Sequence, residues 1–145
     1  MATGTSHEEL YEALWLKLSD DATLLGLTGP HPSAASKARV YDEPPTNAAM
    51  PYIVLDLPTA TPFNTFGVTG REWLVDVHVY SGHKGAQEAG QILARVEALL
   101  DHQHAALTVT GYTVARCALE DVNHLRESPL IRHGAARYRV TLQEA

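Results

Sequence analysis

Cysteine is nearly absent from this chain. Cys117 stands alone among 145 residues, which excludes an internal disulfide and a cysteine-built zinc site. No apolar run approaches the roughly 20 residues that cross a bilayer as a helix. The opening residues MATGTSHEEL also lack the basic-then-apolar order of a secretory signal. The expectation is a protein made and kept in the cytosol, with no membrane among its partners. Basic residues are outnumbered, 11 Lys and Arg against 17 Asp and Glu, for a formal charge of −6. A general duplex-binding surface draws its affinity from neutralising phosphates, so this balance argues against one while leaving room for a local basic patch. What is present is ordinary: 45% hydrophobic and 19% charged residues supply one core, so a single folded domain over 1–145 is expected and a disordered chain is not.

Ser6 followed by Glu9 reads as a capping box that opens a helix. Leu10, Tyr11, Leu14, Trp15 and Leu18 then share one stripe, and Leu16 points away from it, either simply exposed or touching a second chain. Asp20 and Asp21 mark the helix end or a second short turn. Residues 26–51, punctuated by Gly and Pro, read as a loop carrying one short strand at Val40-Tyr41. The β-branched stretch 52–57 is a buried strand. From Arg71 to Ser81, Trp73, Val75, Val77 and Val79 alternate with Asp76, His78 and Tyr80, which predicts another strand. A helix follows over Ala86–Leu100, with Ala89, Ile92, Leu93, Val96, Leu99 and Leu100 on its apolar side and Gly90, Ala94 and Ala98 opposite. Strand pieces at Leu107–Thr110 and Tyr112–Leu119, a polar loop over Glu120–Gly134, and a closing strand at Ala136–Leu142 complete the chain. This order predicts an α+β fold: a mostly antiparallel sheet with two helices packed on one face and a long hairpin or loop arm.

That arm is the stretch from Leu57 to Gly70, which has no charged side chain and holds both phenylalanines of the chain, Phe63 and Phe66. Core-building sequences place aromatics inside regular elements, so the pair either folds back on its own domain or serves as a docking loop. Catalytic patterns are missing. The SGHKG turn matches neither the P-loop nor the dinucleotide-binding glycine order. His102 and His104 stand without metal-ligand spacing. Asp76 and His78 share a strand face and form a triad on paper with Ser81 or Cys117, but no nucleophile elbow supports it. Arg126, Arg132, Arg137 and Arg139 gather positive charge toward the C-terminus, with Arg137 and Arg139 on one face: a solvated surface with weak ion pairs, or a protein contact.

The segments YEALWLKL, DDATLLGL, RVYDEPP, PYIVL, WLVDVHVYS, AGQILARVEALL and ARYRVTL, in that order from Leu10 to Leu142, resemble the small tail-completion and tail-terminator proteins of long-tailed bacteriophages. The resemblance implies an α+β protomer that assembles into a ring, commonly of six, at the head-proximal end of the tail tube, where it stops tube growth and receives the filled head. It implies a place in the virion tail after assembly in the host cytoplasm. The partners would be copies of itself, the tail tube protein and a neck or head-completion protein, with DNA passing through unbound. No enzymatic residue, cofactor or metal is implied. A closed ring needs two unlike patches on each subunit. The candidates are the tip, with Phe63, Asn64, Phe66 and Arg71, and the region of Arg126, Arg132, Arg137 and Arg139. Asp42 and Glu43 are candidates for an acidic bore. The alternatives are a neck or head-completion connector, a small cytosolic enzyme using Asp76, His78 or His124, and a monomeric ligand-binding module.

Overall fold

The computed structural model describes residues 6–64, 66–82, 86–128 and 130–144, with backbone only at 126–128. Helix α1 (His7–Ser19) buries Leu10, Leu14 and Leu18, as the stripe predicts, and Ala13 beside them, while Tyr11 and Trp15 are half-buried against the core. Its opening differs from the expected capping box: Ser6 has φ 69° and its side chain caps nothing. The hydroxyl instead accepts the Trp73 indole N–H at 2.8 Å, so it fastens the helix start to the sheet. Asp20 closes α1, and the second short turn is a full helix, α2 (Ala22–Thr28), begun by Asp21 accepting the Leu24 N–H at 3.0 Å.

The region expected as a loop with one strand holds three. Strands β1 (Pro30–His31) and β2 (Ala34–Ala38) form a small antiparallel pair, and β3 (Val40–Tyr41) joins the main sheet. Their hold is polar, which is why periodicity missed it. Arg39 donates its backbone N–H to the Thr28 hydroxyl at 3.0 Å and its guanidinium to the carbonyls of Thr28 and Pro30 at 2.5 and 3.1 Å.

Strands β4 (Tyr52–Pro62) and β5 (Gly70–Ser81) precede α3 (Gln87–Leu100), a single 3-10 turn at His104–Ala106, and the long hairpin of β6 (Tyr112–Ser128) and β7 (Ile131–Glu144). The five-stranded sheet runs in the order β3-β4-β5-β7-β6, antiparallel except where β3 lies parallel to β4. The expected Glu120–Gly134 loop is therefore mostly strand. Asp121 to His124 pair in register with Arg137 to Gly134, and the side chains from Asp121 to Leu125 are all exposed. A strand wetted on both faces carries no hydrophobic alternation, so its sequence looks like a loop although its backbone ladder is complete.

One face of the sheet is apolar. Ile53, Leu55, Val75, Val77, Val79, Tyr138, Val140 and Leu142 are at most 1% exposed and pack with Leu10, Leu14 and Leu18 of α1 and Ile92 and Val96 of α3. Leu99, expected in the α3 stripe, sits at its margin and is half-buried, while Ala94 and Ala98 face out. The opposite sheet face carries the charged and aromatic side chains.

Candidate functional site

The uncharged tip is shorter than its sequence suggested. β4 continues to Pro62 and β5 begins at Gly70, so the turn proper is 63–69. Its base is closed by the Phe63 N–H on the Gly70 carbonyl at 3.0 Å and by the Asn64 side-chain oxygen accepting the Gly70 N–H at 3.2 Å. Asn64 is thus a brace for the turn. Phe63 is 40% exposed and Phe66 is fully exposed, so neither folds back into its own core. Arg71 is half-buried at the base, its guanidinium donating to the Gly70 carbonyl at 3.3 Å.

The arginines do not form one free basic patch. On the outer sheet face Arg137 donates to both Asp76 oxygens at 2.8 and 3.1 Å, because the β5–β7 register sets them directly opposite. Arg139 bonds Glu120 at 2.7 Å and also holds Glu72. Arg132 pairs with Ser81 across β5 and lines a small hollow with His124, Leu125 and His133. The Arg126 side chain lies outside the described residues. Asp42 and Glu43 are exposed just past β3.

The enzyme alternative meets an obstacle of geometry. Asp76 and His78 lie on the outer face, where Asp76, His78, Asp121, Asn123 and Arg137 line a cavity of about 240 Å³. Ser81 and Cys117 lie on the apolar face, 0% and 1% exposed. Burial pushes the Cys117 thiol up to about 12, and the Ser81 hydroxyl donates to Glu88 at 2.5 Å. The sheet itself separates each nucleophile from the pair that would activate it. His78 shares a hydrogen bond of 2.9 Å with His133, and burial, followed by the neighbouring His133, lowers its pKa below the usual imidazole value. Asp56, directly opposite Asp76, brings a third ligand-type atom within 4.8 Å of those of Asp76 and His78. A cation there would compete with Arg137 for Asp76. His124 is exposed opposite Gly134. His102, two residues past the end of α3, has φ 56° and stands 3.7 Å from Asp101, while His83, Lys84 and Gly85 of the SGHKG turn lie outside the described residues.

Two features went unread in the sequence. An aromatic row crosses the outer face: Tyr41 and Tyr52 at 5.7 Å between ring centres, Tyr52 and Tyr80 at 5.3 Å, Tyr80 and His133 at 4.4 Å. Only strand register brings these rings together. A groove of about 440 Å³ opens between α1 and the end of α3, lined by Ala13, Leu16, Leu99 and Leu107 with Lys17, Asp20 and Asp21. Leu16, the residue that points away from the core stripe, is 41% exposed on its wall.

The profile of a family described as tail completion protein gp17 matches residues 12–143. Among solved structures, a chain from the virion of a native gene transfer agent (GTA) particle superposes with a TM-score of 0.81 at 19% identity, over 97% of this chain and 99% of that one. The gp17 protein of bacteriophage SPP1 superposes with a TM-score of 0.55 at 23% identity, over 92% of this chain and 88% of that one. At such identities the two structures establish a shared fold. No curated protein matches the chain.

Proposed function

The chain belongs to the tail completion protein gp17 family and is a phage tail structural protein, and on that premise we propose that it is the ring-forming terminator that caps the head-proximal end of the tail tube and joins it to the neck. The observation that carries this reading is the uncharged hairpin tip, which presents Phe63 and Phe66 to the outside of an otherwise well-packed protomer. An exposed aromatic pair on a braced turn is an anchor waiting for a pocket, and aromatic anchors dominate the energetics of protein interfaces. Its partners are copies of itself, in a ring of six, then the tube protein on one side and the neck protein on the other. Six copies carry six times the formal charge of −6, and an acidic wall to which Asp42 and Glu43 contribute lets DNA slide past without sticking. The work is done by interfaces, with no bond made or broken and no cofactor or metal.

The test is the mass of the purified chain by sedimentation over a range of concentration, followed by electron microscopy. Six-membered rings and co-purification with headless tails support the terminator. Co-purification with filled heads that lack tails moves the chain to the neck side, and a monomer at every concentration, with no affinity for tails, overturns the reading.

A further inference from the structure

The proposed ring requires two unlike patches on each subunit, and the protomer has an exposed aromatic tip and a leucine-walled groove on different parts of its surface. We infer that the tip of one copy, led by Phe66, seats in the groove between α1 and α3 of the next copy; this rests on the ring reading above. The knob carries no charge from Leu57 to Gly70 and, among its threonines, presents the exposed rings of Phe63 and Phe66. Among the described residues its hydrogen bonds go to its own hairpin and, through Thr69, to the end of β7, and the Phe66 ring is fully exposed while Phe63 is 40% exposed. The socket has Leu16, Leu99 and Leu107 on its walls, and its volume of about 440 Å³ lies within the range of about 300–1,000 Å³ of clefts that bury a drug-sized ligand, ample for one aromatic ring.

The two carboxylates at the socket are already paired within the subunit. Asp20 holds Lys37 and Asp21 holds Arg95, while Lys17 acts on Asp21 through space without a direct ion pair. A neutral tip entering there leaves both carboxylates paired, and an unpaired buried carboxylate is a cost that spoils a contact. A charged partner segment would gain nothing from these satisfied ions, which is why the occupant is the uncharged tip of a second copy. Two unlike patches make a heterologous contact, and a heterologous contact propagates from copy to copy until it closes.

The experiment uses two single-cysteine probes in the full chain, Phe66→Cys and Leu16→Cys, and a short thiol–thiol crosslinker. Cys117 is buried with its thiol pushed up to about 12, so it stays silent in the folded protein. Mixing the two variants is expected to give a crosslinked dimer that neither gives alone, whereas Phe66→Cys mixed with Leu125→Cys on the β6 arm gives none. In parallel, Leu16→Asp and Phe66→Asp, each folded by circular dichroism, are expected to weaken self-association at least about 30-fold, the effect of losing one interface anchor. Wild-type rings that form while the mixed probes fail to link, or while both Asp variants assemble as well as wild type, overturn the knob-and-socket contact and leave the ring standing. A wild-type chain that never self-associates overturns both.

Discussion

Arg95 on α3 grips Asp21 at the head of α2 with two hydrogen bonds, of 2.9 and 2.6 Å. The same carboxylate accepts the Leu24 N–H, so one side chain caps a helix and ties it to its neighbour. Asp21→Ala removes both and is expected to cost about 2–3 kcal/mol, the sum of a lost cap and a broken charge-assisted pair. Urea unfolding at neutral pH measures it. The hydrogen bonds from Arg95, offset in part by burial, hold the Asp21 carboxyl below its usual pKa. The unfolded chain therefore takes up this proton first, and the contribution is present above about pH 3.9 and lost as pH falls through the lower, folded value. Asp21→Asn keeps a cap and loses the charge. Its deficit relative to wild type should shrink in acid, and a deficit that stays constant with pH would refute the ion pair as its source.

Two glycines make opposite predictions. A Cβ at Gly70 would lie within 2.6 Å of the backbone carbonyl oxygens of both Phe63 and Leu142, atoms that cannot move aside without opening the base of the tip. Gly70→Ala should therefore destabilise by about 2 kcal/mol or more and loosen the hairpin. Gly90, inside α3, meets nothing within 4 Å, so Gly90→Ala should stabilise by about 0.5–1 kcal/mol through reduced freedom of the unfolded chain. Thermal melts of the two variants side by side check the signs, and equal melting points would contradict the packing described.

Phe63→Asp combined with Phe66→Asp should leave the protomer folded, since the two rings are 40% and fully exposed. Surface changes of this kind alter stability within about 0.5 kcal/mol. Assembly into rings or docking onto tails should be lost. Infective particles built from the double variant would remove the tip from any interface.

How much of this was readable beforehand depended on burial. Val75, Val77 and Val79 announced a strand because one face meets a core, and Ile92, Leu93 and Val96 announced a helix for the same reason. The outer half of β6 announced nothing, because Asp121, Asn123 and Leu125 face water whichever way they turn, and backbone pairing alone leaves no trace in side-chain pattern. Ser6 misled in a different way: the serine stands at the expected helix start, but the indole of Trp73, 67 positions on, claims its hydroxyl. The exposure of Phe63 and Phe66 was legible because aromatics in an uncharged turn are out of place. The groove that Leu16 borders was not legible, since its walls come from α1, α3 and the segment after them, and only tertiary packing sets them side by side.

The pairing of His78 with His133 gives the outer sheet face its own response to pH. His78 is half-buried, its Nδ1 lies 2.9 Å from the His133 Nε2, and Arg137 stands nearby. All three oppose a positive charge on the ring, and together they outweigh the attraction of Asp76 and Asp56, so the folded pKa falls below the ordinary 6.5. Between 6.5 and that lower value the unfolded chain binds a proton that the folded chain resists, and the slope relation then makes stability rise with pH. The contribution of His78 is thus complete above the unfolded value and is lost as the solution is acidified through the folded one. His78→Gln cannot take up that proton. Its denaturant midpoint should fall less than that of wild type between about pH 7.5 and pH 5.5, a window that spans the imidazole range. Because the other six histidines are common to both chains and stand outside this hydrogen bond, the difference between the two curves reports the His78–His133 pair. Parallel curves would mean that its proton is bound equally in the folded and unfolded states, which the contact with His133 forbids.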